Sequence, residues 1–552
     1  MLTRDASPNR GSREWRAGSA RREPTMTMNR RFLLGAAAST VATMTVAPFT
    51  PAFGQKAMRS SASEPGLDYA NASELRALLD ARKISATEVF EHAVGRIEAL
   101  DSRINAVVVR DFDCARAVAR EADAALARGE RRPLLGIPMT VKEAFNVGGL
   151  PTTWGLPMGR DWRAAEDAVA VARLKAAGAV ILGKTNLATA IADWQSFNPI
   201  YGTTNNPWDL TRTPGGSSGG SAAALAAGYV PLELGSDISG SLRVPAHLCG
   251  VFAHKPTSNL VPQRGHAPPR SPALATDLTS GLGVCGPMAR TAADLSTTLH
   301  VIAGPDEYEA RAYQLALPAP RHEALRDFRV LVLDSHPLLP VASEIRAALD
   351  QLAGRLTATG AKVARSSPLV PDLAESARLH TRMVRNFNAF GRSPEFFTKI
   401  REDAAALKPD DDSLKAWRTR APLLSHHEWM AAEIARARLR QKWAGLFREY
   451  DVVLCPPFSV TAFPHDQTPD MEDRTIDIDG ETHPYPSLIV WATVATPPGL
   501  PATVMPVGRS KAGLPIGAQI IGPLFEDRTP LAFAQLLERE YGGFARPPEI
   551  PL

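Results

Sequence analysis

Cysteine is scarce in this chain of 552 residues. The four present, Cys114, Cys249, Cys285 and Cys455, form no CxxC pair and no Cys/His ligand spacing, which argues against a zinc site. In a domain this large they read as small buried hydrophobes, with one disulfide left open in an oxidising compartment. His247 and His254 flank Cys249 seven positions apart without a third ligand nearby, so a structural role suits them better than metal ligation. A long apolar run is lacking too. The stretch from Phe32 to Phe49 is interrupted by Gly, Ser, Thr and Pro48 and is too polar for a span of about 20 apolar residues, which excludes a stable membrane anchor there. Charge of one sign is also missing. Residues 1–54 hold eight arginines and three acids; without them the chain carries 54 basic and 55 acidic residues. Such a balance gives nucleic acid nothing to hold. What remains, 44% apolar and 22% charged residues, is an ordinary globular chain long enough for a large core.

The N-terminus reads as an address. Asn29-Arg30-Arg31-Phe32-Leu33-Leu34 sets paired arginines before the mildly apolar stretch, and Ala52-Phe53-Gly54 offers small residues for cleavage. This resembles a twin-arginine export signal and implies a periplasmic or secreted protein. Met26 or Met28 would start a signal of normal shape. The expected organisation is therefore an upstream extension over 1–25, a signal over 26–54, a linker over 55–67 and one catalytic domain over 68–545.

Within that domain the apolar spacing predicts helices that alternate with short apolar runs. Leu75, Leu78 and Leu79 follow Ser73 as a helix cap, and Val89, Phe90, Val94, Ile97 and Leu100 follow Thr87. Leu134 to Val141 reads as a strand that delivers Lys142 at its end. Val169, Val171 and Leu174 form a helix stopped by Gly178, and Val180-Ile181-Leu182 is a buried strand. Phe328 to Leu333 is another, followed by a helix with Ile345, Leu349, Leu352 and Leu356 that ends at Gly360. The alternation predicts an α/β fold, a mixed twisted sheet flanked by helices. Residues 370–430, with a turn at Pro409-Asp410-Asp411-Asp412, and residues 456–487 read as long irregular loops.

Three segments carry the chemistry. Gly136-Ile137-Pro138-Met139-Thr140-Val141-Lys142 ends on a lysine; Gly215-Gly216-Ser217-Ser218-Gly219-Gly220-Ser221 and Gly235-Ser236-Asp237-Ile238-Ser239-Gly240-Ser241-Leu242-Arg243 are serine clusters in glycine-rich turns. A serine hydroxyl needs a base, and lysine can be one only when neutral, which burial favours. The glycines let backbone approach backbone and aim N–H groups at one point. The N–H groups of Ile238, Ser239, Gly240 and Ser241 could converge as an oxyanion hole, each donor worth about 3 kcal/mol. Lysine alone at a strand end is usually exposed; in company with two serine clusters the buried reading gains. Lys184, after Leu182-Gly183, is the competing lysine.

These motifs, together with Val244-Pro245-Ala246, Gly286-Pro287-Met288-Ala289-Arg290 and Gly499-Leu500-Pro501-Ala502, resemble the amidase signature family from about Asp68 to Gly543. The resemblance implies a Ser–cisSer–Lys triad: Ser241 as nucleophile, Ser217 entered through a cis Gly216–Ser217 bond as proton relay, and Lys142 as base. It further implies that Ser218 supports Lys142 by a hydrogen bond, and that Asp237 and Arg243 brace the turn. One departure stands out. The family usually has glycine before Gly240, and this chain has Ser239; a positive φ there would cost about 1 kcal/mol or more.

Gly215-x-Ser217-x-Gly219 also matches the nucleophile elbow of α/β-hydrolases, but that motif follows a buried strand, and the preceding Asn205–Pro214 stretch is polar and turn-like. Trp194 and Trp491 could line an acyl pocket or simply pack in the core. The expected activity is hydrolysis of a small-molecule amide to a carboxylic acid and ammonia or an amine, through an acyl-enzyme and without metal or organic cofactor, with esterase activity on the side. The rivals are a glutaminase subunit of a tRNA-dependent amidotransferase, which an export signal opposes, and a non-catalytic periplasmic binding protein, which the complete Lys142/Ser217/Ser241 set opposes. Substrate and oligomeric state stay open.

Overall fold

The computed structural model describes residues 67–271 and 281–548. The upstream stretch 1–25, the export signal 26–54 and all of the linker 55–67 except Leu67 lie outside the described residues. Among the latter, eleven strands build one mixed sheet. Its order is Val107–Arg110, Val180–Thr185, Pro138–Lys142, Leu232–Asp237, Val284–Ala289, Phe252–Lys255, Ala502–Arg509, Pro515–Ile521, Val452–Cys455, Arg329–Val332 and Lys362–Ala364. Parallel pairs lie towards both ends of it and a run of antiparallel pairs fills the middle, and helices flank it as the α/β reading expects.

The first two helices show how local chemistry sets their starts. Ala72–Asp80 is capped by Asn71 and Ala86–Ile104 by Ser85, not by Ser73 and Thr87. Each true cap has a glutamate three residues into the helix, Glu74 or Glu88, whose carboxylate returns to the cap N–H, so two orphan donors are satisfied at once. Ser73 and Thr87 occupy the first turn instead. Their hydroxyls donate to Asp294 and Asp123 at 2.7 and 2.6 Å, and those carboxylates also take first-turn N–H groups, as anions at helix N-termini do.

Val169–Ala176, Val180–Thr185, Arg329–Val332 and Ser343–Ala358 form as expected. The strand carrying Lys142 begins later than its apolar run, at Pro138, and takes in Lys142 itself. The larger correction concerns residues 370–430. Helices Leu373–Ala389, Pro394–Ala405 and Leu414–Arg420 fill that span, and His426–Leu446 begins before its end. Asp372, Ser393, Ser413 and Ser425 each accept a first-turn N–H, so every helix starts on a capping side chain that composition alone obscures. Residues 456–487 are largely loop, with a hairpin of Thr475–Ile478 and Glu481–Pro484. All four cysteines are free thiols; three are buried and Cys114 is exposed, because position 114 lies on the outer face of the helix Phe112–Ala127.

Candidate active site

Two adjacent parallel strands bring the motifs together. Pro138–Lys142 and Leu232–Asp237 pair in register, with Met139 opposite Leu232 and Val141 opposite Leu234. Lys142 therefore ends one strand beside the start of the turn that follows Asp237. Its Nζ lies 2.7 Å from Ser217 Oγ and 3.0 Å from Ser236 Oγ, wholly buried. Burial pushes the Lys142 ammonium down to about 7, against the pull of the Asp237 carboxylate. Cys285 sits opposite Ser236 on the next strand; burial lifts its thiol to about 12, so it stays protonated and does not compete as the anion of the site. His266 packs its ring against Phe145 and Trp154 at 4.7 and 5.4 Å; burial and the nearby Lys142 push it down to about 3.

The peptide bond Gly216–Ser217 is cis. No side chain fits at 216: a Cβ there would stand 2.5 Å from Asp193 O and 2.7 Å from Gln195 N. A loop rather than a strand leads into Ser217, and the buried, alanine-rich helix Gly219–Ala226 follows, so the elbow geometry is absent. Ser218 does not reach Lys142. Its Oγ donates to Ser236 O at 3.3 Å and receives Ser236 N–H at 3.5 Å, while its own N–H donates to Ser241 O at 3.3 Å. Ser218 thus ties the two serine loops together, and Ser236 takes the place beside the lysine. Nothing in the residue spacing distinguishes the two hydroxyls; the parallel strand pairing does.

The turn after Asp237 is built around that carboxylate. It accepts the N–H groups of Gly240 at 2.8 Å and Leu242 at 3.1 Å, and two arms of Arg243 at 2.9 Å each. Burial opposes the charge, but the Arg243 guanidinium and the Gly240 N–H outweigh it and hold the carboxyl well below the usual carboxylate range. Arg243 continues to Gln519 Oε1 at 2.7 Å and Thr496 Oγ1 at 2.9 Å. The left-handed conformation falls on Gly240, φ 98°, and φ at Ser239 is not positive, so the serine in place of glycine brings no backbone strain. Because Gly240 N–H is held by Asp237, three of the four expected oxyanion donors remain: the N–H groups of Ile238, Ser239 and Ser241 meet no acceptor among the described residues. Ile238 and Ser239 are half-buried and Ser241 is 6% exposed.

The other candidates pack. Trp194 donates from its indole to Ser239 O at 2.8 Å, and Trp491 is fully buried. His247 bonds Val460 O and Gly517 N–H, and His254 bonds Thr503 and Asp527. Lys184 is also buried, giving its ammonium to Pro151 O and to Thr152 Oγ1. A cavity of about 370 Å³ lined by Trp208, Arg355, Arg509 and Tyr541, among others, includes none of the serine–lysine residues.

A model of the amidase family matches residues 88–531. The chain belongs to the amidase signature family. It is 33% identical to a glutamyl-tRNA(Gln) amidotransferase subunit from Roseiflexus castenholzii, over 87% of this chain and 97% of that protein. It is equally 33% identical to the indoleacetamide hydrolase of Bradyrhizobium diazoefficiens, over 86% and 87%. The inhibitor-bound structure from a study of an s-triazine catabolic enzyme superposes with a TM-score of 0.70 at 30% identity, covering 85% of this chain and 98% of that one. As an amidase signature amidohydrolase, the protein acts on amides.

Proposed function

We propose that the protein hydrolyses a linear carboxamide or small amide through an acyl-enzyme on Ser241. The observation that carries this reading is the buried Lys142 Nζ at 2.7 Å from Ser217 Oγ, one backbone hydrogen bond away from the Ser241 turn. Neutral Lys142 accepts the Ser217 proton while Ser217 accepts that of Ser241, whose Oγ attacks the carbonyl carbon. The oxyanion takes the N–H groups of Ile238, Ser239 and Ser241. The protons then return along Lys142 and Ser217 to the leaving nitrogen, the C–N bond breaks and ammonia or an amine departs. Water repeats the sequence on the acyl group and releases the carboxylic acid. A base near 7 is matched to both directions of this relay. An ester leaving group needs less protonation, so esters should turn over too. Asp237 and Arg243 act by holding the turn.

Fluorophosphonate labelling of the purified protein, with the modified peptide located by mass spectrometry, tests the assignment. An adduct on Ser241 that Ser241→Ala removes supports it; an adduct on Ser217, or none, counts against it. The kinship with amidotransferase subunits favours a second reading, glutamine hydrolysis on behalf of a partner. Turnover of simple amides by the isolated chain with poor use of glutamine would set it aside. We also propose export through the twin-arginine signal. Recovery of the protein in the periplasm, with an N-terminus near Gly54, would support that, and retention in the cytoplasm would oppose it.

A further inference from the structure

Ser239 stands where the resemblance expects glycine, and its side chain has a partner. Its Oγ lies 3.0 Å from Nε2 of His380, a histidine with no exposed surface on the helix Leu373–Ala389. His380 Nδ1 is buried without a partner among the described residues. The ring proton therefore belongs on the nitrogen that uses it: Nε2–H donates and Ser239 Oγ accepts, an assignment made from hydrogen bonding. The imidazole is neutral, pushed down to about 3 by burial and by Arg243. Its helix is itself anchored. One turn back on the same face, Ser376 Oγ donates to Thr493 O at 2.8 Å, and the neighbouring Ala492 O receives Arg243 at 3.2 Å.

The peptide units around Ser239 are thus clamped from three sides. Trp194 holds the Ser239 carbonyl, Asp237 holds the Gly240 N–H, and His380 holds the Ser239 side chain. The unclamped groups are the N–H groups of Ile238, Ser239 and Ser241. Glycine at 239 would have no side chain to offer the third clamp. We infer that His380 is a positioning residue: through the Ser239 hydroxyl it fixes the turn whose N–H groups receive the developing oxyanion. The inference rests on the acyl-enzyme reading and adds to it a role for a helix that lies outside the serine–lysine motifs in the chain.

A double-mutant cycle on the full chain tests it, with kcat and KM for one chromogenic anilide as readouts. His380→Leu should lower kcat about tenfold, the worth of one neutral hydrogen bond aimed at the transition state, with KM changed less than threefold. His380→Gln, whose amide N–H can stand near the Nε2 position, should recover most of that loss. In a Ser239→Gly background, where there is no hydroxyl to hold, His380→Leu should change kcat less than twofold. Equal loss in both backgrounds, a loss confined to KM, or no rescue by Gln would each overturn the inference. Should His380→Leu fail to fold, Ser239→Ala alone decides: a kcat drop of about tenfold at an unchanged melting temperature supports the clamp, and an unchanged kcat removes it. Fluorophosphonate labelling separates the two failures. Adduct on Ser241 with an additive cycle sinks the clamp alone, whereas loss of that adduct from the parent protein sinks the reading beneath it.

Discussion

Lys142 and Lys255 invite comparison. Both are fully buried, and burial pushes both down to about 7. They stand on strands of one sheet. Their partners differ. Lys255 Nζ donates to the carbonyl oxygens of Pro256 at 2.9 Å and Leu500 at 2.8 Å, whereas Lys142 faces the hydroxyls of Ser217 and Ser236. A carbonyl only accepts, so Lys255 can do no more than donate. A hydroxyl can also give a proton to the lone pair of a neutral amine. A depressed lysine is therefore not a base by virtue of its pKa; the chemistry of its neighbour decides whether the lone pair has anything to receive. Lys184, pushed down to about 8, has one carbonyl and one threonine hydroxyl and lies between the two cases.

The largest test of this contrast is a pair of substitutions. Lys142→Met should lower amide turnover by about 10³-fold or more, as removal of a triad member does. Lys255→Met should leave kcat within about tenfold. Steady-state kinetics on one amide measures both, and loss of turnover in a folded Lys255→Met protein would break the distinction. Next comes pH. The base is the neutral amine, so kcat/KM for an amide should fall about tenfold per unit as pH drops below about 7 and level off above it. A profile flat between about pH 5.5 and 8 would remove Lys142 as the titrating base.

Stability gives a smaller effect. Lys255→Met strands two buried carbonyls and should cost about 2 kcal/mol, read from denaturant melts at about pH 10, where the proton-linked penalty that Lys255 shares with Lys142 is small. For Lys142, the folded pKa lies below that of the unfolded chain. The unfolded state binds the extra proton, so the destabilisation this brings grows as pH falls from about 10.5 to about 7 and levels off below that, where the buried amine takes up the proton as well. Lys142→Met should therefore melt above the parent protein at about pH 6, with the gap narrowing by about pH 9; a gap that widens instead would contradict a buried neutral amine. The smallest effects separate the two supporting serines. Ser236→Ala, next to Nζ, should lower kcat up to about tenfold and move the pH midpoint, while Ser218→Ala should leave the midpoint unchanged.

The contrast also explains what could be seen beforehand. Lys142, Ser217, Ser218, Asp237, Ser241 and Arg243 stand out in the chain because glycine-rich turns and an apolar strand end mark them. Ser236 stood inside a recognised motif, yet its contact with Lys142 was hidden, since the register of two parallel strands chooses between it and Ser218. His380 was invisible. It lies 139 positions beyond Ser241, in a stretch that reads as irregular because turn residues break it up between its helices. Their caps, Asp372, Ser393, Ser413 and Ser425, were the available signal. Lys255 carried none, for nothing in Phe252-Ala253-His254-Lys255 distinguishes a buried lysine from one at an exposed strand end.

Sequence by itself determined the alternation of apolar runs and helices, hence a mixed sheet, together with the serine and lysine residue types and the glycines that let their loops approach. Each of these is a local property, set by side-chain periodicity and by backbone dihedrals open to glycine. Tertiary structure alone decided which of three buried lysines meets the serine hydroxyls, which N–H groups stay free once Asp237 takes that of Gly240, and which distant histidine grips Ser239. Those outcomes depend on directions and distances of an ångström or less between segments far apart in the chain, and hydrogen bonds are sensitive to both.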